Sequence, residues 1–149
     1  MEVILSEVKH DDYIDQELLY SLLEERTPQQ SISHKEMPTW EEHKAFVESE
    51  PYAAWYFITD KVHRYVCGAI YLTHDNEIGI FIFNNHTGKG YGRAAVDALR
   101  EKYKGPFLAN INPRNAASIG FFMSLGFYHV SDTYDPEDSR HVQVTYGID

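Results

Sequence analysis

A chain of 149 residues with 43% hydrophobic and 14% aromatic content has material for one domain with a substantial core and is too short for two ordinary ones. A formal net charge of −10 argues against a nucleic-acid partner, which needs clustered Lys and Arg, and no apolar run approaches the ~20 residues of a membrane span. Cys67, the one cysteine, allows no internal disulfide, and Met1 to Glu7 lacks the basic start and small-residue cleavage site of a signal peptide, so a cytoplasmic protein with no membrane partner is expected.

Met1 to Val8 alternates loosely and predicts a first strand. His10-Asp11-Asp12 then offers a helix start, and Ile14, Leu18, Leu19, Leu22 and Leu23 recur at helical spacing to give one apolar face. From Arg26 to Pro38 the chain is polar and broken, which reads as a loop. Thr39-Trp40-Glu41-Glu42 has the form of a capping box, with Phe46 and Val47 on the inner face of the helix it opens. Trp55 to Thr59, Tyr65 to Leu72 and Ile78 to Phe83 are aromatic and β-branched, and short turns at Asp60-Lys61 and His74-Asp75-Asn76 make them consecutive antiparallel strands. Cys67 falls inside the second of these and reads as core, having no activating base beside it.

A glycine-rich loop, Gly88-Lys89-Gly90-Tyr91-Gly92, leads into a helix with Ala95, Val96, Leu99 and Tyr103 on its apolar face, and Gly105-Pro106 stops it. Phe107 to Ile111 predicts another strand. Asn115 caps a short helix through Leu125, with Gly126 supplying a left-handed residue at its end. Two strands, Tyr128 to Thr133 and His141 to Tyr146, close the chain. Hairpins followed by a helical crossover imply an α/β fold in the broad sense: one domain over 1–149, its central mixed, largely antiparallel sheet flanked by helices.

The informative unit is the strand Ile80-Phe81-Ile82-Phe83, the glycine loop and the helix after it. Glycines let backbone approach an anion, and a helix start offers unpaired N–H groups with partial positive charge, so the loop is suited to a phosphate or pyrophosphate; a plain tight turn is the alternative. A P-loop is excluded by the lack of Gly-Lys-Ser/Thr, and the three closely spaced glycines lack the Rossmann spacing.

Here the sequence resembles the GNAT superfamily of acetyl-CoA-dependent N-acetyltransferases. The family loop Arg/Gln-x-x-Gly-x-Gly/Ala falls on Thr87 to Gly92, with Thr87 in place of the leading Arg or Gln. A second signature, Asn-x-x-Ala/Ser-Ile-x-Phe-Tyr-x-x-x-Gly-Phe, matches Asn115, Ser118, Ile119, Phe121, Gly126 and Phe127, with Phe122 at the tyrosine position. Both motifs occur in the right order on the expected elements. The segment from Ser33-His34 to Phe46 also resembles that of bacterial and phage members.

The resemblance implies a transfer of acetyl from acetyl-CoA to a primary amine, by direct attack in a ternary complex. It implies that backbone of Ile80, Phe81 and Ile82 pairs with the pantetheine arm, as a peptide adds to a sheet edge. Amides from Gly88, Lys89, Gly90, Tyr91, Gly92 and Arg93 would hold the pyrophosphate, with Lys89 and Arg93 adding charge, and Asn115 would contact the arm. Glu77 matches a general-base position, with an exposed strand-end charge as the alternative; Asn110 stands where other members carry a glutamate, and an amide cannot be a base. Phe122 removes the usual acid, leaving Tyr91, Tyr128 or water to protonate the thiolate. Of the eight histidines, none shows metal-ligand spacing, and His34 and His43 border the expected amine site. The acceptor is an amine-bearing small molecule or a protein amino group. A non-catalytic acyl-CoA-binding module and a transferase with another acyl donor are the competing readings, and exposed strand edges give a route to a homodimer.

Overall fold

The computed structural model describes residues 2–26 and 36–149. Four strands, β1 (Val3–Glu7), β2 (Ala54–Asp60), β3 (Val66–Leu72) and β4 (Ile78–Ile82), lie side by side in that order, every pair antiparallel. A second antiparallel sheet has β7 (His141–Ile148) between β5 (Phe107–Ile111) and β6 (Tyr128–Tyr134).

The single mixed sheet expected from the strand order is therefore nearly severed. β4 and β5 are its parallel neighbours, and their pairing shrinks to one bridge between Glu77 and Leu108, where the Leu108 N–H donates to the Asn76 carbonyl at 2.9 Å. Past that bridge β4 pairs only with β3 among the described strands, so its other edge keeps backbone donors and acceptors free of a sheet partner.

Strand alternation sorts the core into two layers. Tyr56, Ile58, Ile70, Leu72 and Ile78 face helix α3 (Tyr91–Lys102), which presents Ala95, Val96 and Leu99, all fully buried. Phe57 and Ala69 face the opposite way, against Leu19 and Leu22 of α1 (Tyr13–Glu24) and Val47 of α2 (Trp40–Glu48). Two positions assigned inward by spacing lie elsewhere. Ile14 is 66% exposed in the first turn of α1, and Gln16 is buried instead because its amide donates to the His10 carbonyl at 2.8 Å. Phe46 is half-exposed, its ring edge-on to Tyr52 and Trp55.

The helix starts differ in a way that bears on function. Asp12 caps α1, Thr39 and Glu42 form a reciprocal capping box on α2, and Asn115 caps α4 (Ala116–Ser124) through the Ser118 N–H. α3 starts at Gly90, in a left-handed conformation at φ 92°, with no side-chain cap.

Candidate active site

The gap between β4 and β5 widens into a cleft of about 800 Å³. Glu77 and β4 form one wall, the loop from Thr87 to Arg93 closes one end, and Asn110, Asn112, Asn115, Ser118, Phe121 and Phe122 form the other wall. Of the residues singled out in the sequence, Ile80, Phe81, Ile82, Gly88, Gly90, Tyr91, Gly92, Arg93, Asn115, Phe122 and Glu77 all line it; Lys89 does not.

Each part of the glycine loop has its own physical reason. Gly88 at φ 74° has nothing within 4 Å of where a Cβ would sit, so only its backbone conformation demands glycine. At Gly92 a Cβ would lie 3.0 Å from a ring carbon of Phe121, so that glycine lets α3 and α4 pack closely, in addition to any approach to a ligand. The Arg93 guanidinium donates to the Ser124 carbonyl at 3.1 Å, tying the start of α3 to the end of α4. With its first turn uncapped by any side chain and opening on the cleft, α3 is suited to receive an anion.

Beneath this loop the Tyr91 side chain is buried, and its hydroxyl donates to the Asp60 carboxylate at 2.5 Å while accepting from the Tyr65 hydroxyl at 2.9 Å. Asp60 also accepts from the His63 and Val62 amides at 2.7 and 2.9 Å. The His63 amide first, then the Tyr91 hydroxyl, pull the Asp60 carboxyl down to about 2, and the same carboxylate pushes the Tyr91 phenol far above its usual range. Tyr91 therefore cannot be the acid that Phe122 fails to supply. Tyr128, half-exposed on β6, is not among the lining residues either.

Glu77 sits where the two sheets part. Its carboxylate accepts from the Asn110 amide at 2.8 Å and from the Thr73 hydroxyl at 3.3 Å, while Thr73 Oγ1 accepts the Glu77 N–H at 3.0 Å. Asn110 is itself oriented: Thr145 Oγ1 donates to its carbonyl oxygen at 2.8 Å, which leaves the NH2 group aimed at Glu77. Both of these partners of the carboxylate are neutral donors, so they fix it in place without neutralising it. Asn110, read from sequence as a lost base, holds the base candidate that remains.

On the α1 and α2 side of β4 the lining is aromatic. The Tyr71 ring covers Gly79 and stacks on Tyr52 at 3.8 Å, Trp55 stands edge-on to Tyr52, and the Arg26 guanidinium lies 5.2 Å from the centroid of Phe81. A smaller recess of about 70 Å³ opens here, sharing Leu22, Arg26, Tyr71 and Phe81 with the cleft. His43 borders the recess but is buried, its Nε2 bonded to the Gln16 carbonyl at 2.8 Å, and burial lowers its pKa. It reads as a neutral structural ring. His34 lies outside the described residues. Tyr71, Tyr52, Trp55 and Arg26 escaped the sequence reading because strand alternation marks Tyr71 and Trp55 only as sheet residues, and nothing local links them to Arg26.

Residues 17–127 match the model of the acetyltransferase (GNAT) family. No match was found among curated protein sequences. An acetyltransferase from Thermus thermophilus has a similar structure, with TM-score 0.76 and 18% identity over 99% of this chain and 97% of that one. A variant of the spermidine N-acetyltransferase of Vibrio cholerae superposes with TM-score 0.75 at 16% identity, over 99% and 93% of the two chains. For a GNAT-family acetyltransferase from Bacillus anthracis the values are 0.73 and 15%, over 99% and 95%. At such identities the structures speak for the fold alone, and with the family match over most of its length, the chain belongs to the GNAT acetyltransferase family.

Proposed function

We propose that residues 1–149 form one N-acetyltransferase domain that moves an acetyl group from acetyl-CoA to a primary amine. The observation that carries this reading is the parting of β4 and β5 at Glu77, which puts a fixed carboxylate in the same cleft as an uncapped helix start. The residues present fit the donor. The edge of β4 that faces away from β3 along Ile80 to Ile82 suits the amides of a pantetheine arm, and the glycine loop with the α3 amides suits a pyrophosphate.

In this reading the neutral amine attacks the thioester carbonyl carbon. A C–N bond forms, the C–S bond breaks, Glu77 takes the proton the nitrogen sheds, and CoA leaves as thiolate to be protonated from water. Asn110 and Thr73 hold the carboxylate toward the amine, and Thr145 keeps Asn110 in the orientation that donates. A thiol with an ordinary pKa near ~8.5 leaves without a dedicated acid, which fits Phe122.

The test pairs thermal melting with a thiol-release assay over a panel of amines. Acetyl-CoA should raise Tm by mass action, and CoA thiol should appear only when an amine is present. No thermal shift at millimolar acetyl-CoA would overturn the proposal. A shift without release for any amine would favour a non-catalytic acyl-CoA-binding module, and larger release with another acyl-CoA would reassign the donor.

A further inference from the structure

We infer that the acceptor carries a compact branched-alkyl group on its amine, and that this group seats in the aromatic recess beside Glu77. The inference rests on the transferase reading and names its substrate class.

Position comes first. The recess is on the α1 and α2 side of β4 and adjoins the cleft at Leu22, Arg26, Tyr71 and Phe81, which line both. Tyr71 covers Gly79, two residues along the strand from Glu77. An amine held at the Glu77 carboxylate thus has its substituent directed toward Tyr71, whereas the glycine loop and the start of α3 lie at the far end of β4.

The chemistry of the lining comes next. Leu19, Leu22, Phe46, Trp55, Ala69 and Phe81 supply apolar surface, and the phenols of Tyr52 and Tyr71 stay neutral because burial raises both. The one charged side chain among the described lining residues is Arg26, a cation, since burial keeps His43 neutral. With its guanidinium against the face of Phe81, Arg26 already occupies a ring surface that a second ammonium would need. The second ammonium of a polyamine would find no acidic side chain among the described lining residues. An alkyl group gains by leaving water.

Size narrows the choice. At about 70 Å³ the recess has roughly half the volume of a ~150 Å³ apolar cavity that accepts benzene, which suits a branched chain of about four carbons.

The test measures kcat/KM at saturating acetyl-CoA for ethylamine, isoamylamine, glucosamine and spermidine. Isoamylamine should exceed each of the others at least ~10-fold, since even one methylene in an apolar pocket discriminates by about 10-fold or more. Two variants probe the seat itself, with Tm recorded for each. Ala69→Val narrows the recess and should lower the isoamylamine to ethylamine ratio at least ~10-fold. Phe46→Ala, at a half-exposed position, should move the optimum to longer amines such as octylamine. Preference for spermidine or glucosamine, acetyl-CoA binding with no turnover of isoamylamine, or an unchanged ratio in both variants would each overturn the apolar acceptor. Absence of both acetyl-CoA binding and turnover would instead overturn the transferase reading beneath it.

Discussion

On its α3 side, β4 borders a wall made largely of backbone: the glycine loop, an uncapped helix start and a strand edge without a sheet partner. On the α1 and α2 side the wall is made of side chains from several elements, with Leu22 and Arg26 from the end of α1, Trp55 from β2, Tyr71 from β3 and Phe81 from β4 itself. A surface built from main-chain groups can serve one invariant ligand while the rest of the sequence drifts. A surface built from side chains changes with every substitution, and in the proposed reading the first surface is the donor wall and the second the acceptor wall. The contrast makes separable predictions for donor binding, chemistry and stability.

The largest effect belongs to Glu77, at the junction of the two walls. Glu77→Gln keeps the shape and removes basicity, its one amide oxygen able to accept from Asn110 or from Thr73 but not from both, so kcat should fall by roughly 10²–10⁴-fold. Acetyl-CoA affinity should hardly move, because the donor wall is untouched. Single-turnover rates with equilibrium binding of acetyl-CoA check this; near-parental chemistry in the variant would make Glu77 a strand-end residue.

Gly90→Val attacks the donor wall instead. A Cβ at φ 92° costs about 1–2 kcal/mol in backbone strain, and the loop must shift to relieve it. Tm should drop, and acetyl-CoA Kd by calorimetry should rise about tenfold or more, since each 1.4 kcal/mol is a decade. The preference among amines should survive, because the acceptor wall keeps its side chains. A changed amine preference with unchanged Kd would merge the two walls that the contrast separates.

How legible the molecule is in its sequence follows the same division. Glycine spacing and the Asn115 to Phe127 signature mark the donor wall because main-chain geometry demands glycine at Gly88 and Gly90 and a capping side chain at Asn115. Glu77 and Asn110 can each be singled out, but their hydrogen bond joins residues 33 apart and needs the parting of β4 from β5, which no local pattern encodes. Ile14 and Phe46 show the limit of periodicity: it identifies a helix face, while the packing partner decides which end of that face is covered.

Asp60 gives a pH-dependent prediction beneath the donor wall. Its carboxyl is held at about 2 in the fold against an ordinary value of 3.8, so its contribution to stability is complete above pH ~4 and is lost as pH falls through about 2. Melting curves from pH 6 to 2 should therefore steepen at the acid end. In Asp60→Asn the Tm should be lower at pH 6 and its decline between pH 4 and 2 shallower, because one group no longer titrates. Parallel acid limbs in the two proteins would mean that the Tyr91 hydroxyl and the His63 amide do not hold an ionised carboxylate there.

The smallest effect should come from Phe122→Tyr, and its smallness is informative. Phe122 is buried, edge-on to Phe121 and Phe127 at 5.1 and 5.0 Å, yet it also lines the cleft, so a para hydroxyl can project into the cavity without displacing either ring. Removing the ring is a different matter: Phe122→Ala should cost about 3–5 kcal/mol. For Tyr the Tm should stay within a few degrees and kcat should be unchanged or rise by less than about tenfold. The reason lies in the leaving group. A thiolate whose conjugate acid titrates near ~8.5 departs at neutral pH with little help, so an added proton donor shortens a step that is already fast. The pH dependence discriminates further, since any gain from a new acid should persist until the tyrosine ionises, near ~10 for an unperturbed phenol. A rise in kcat well beyond tenfold would show that thiolate departure limits the parent protein, which would place the slow step on the donor wall and leave the Glu77 carboxylate with less of the barrier to lower.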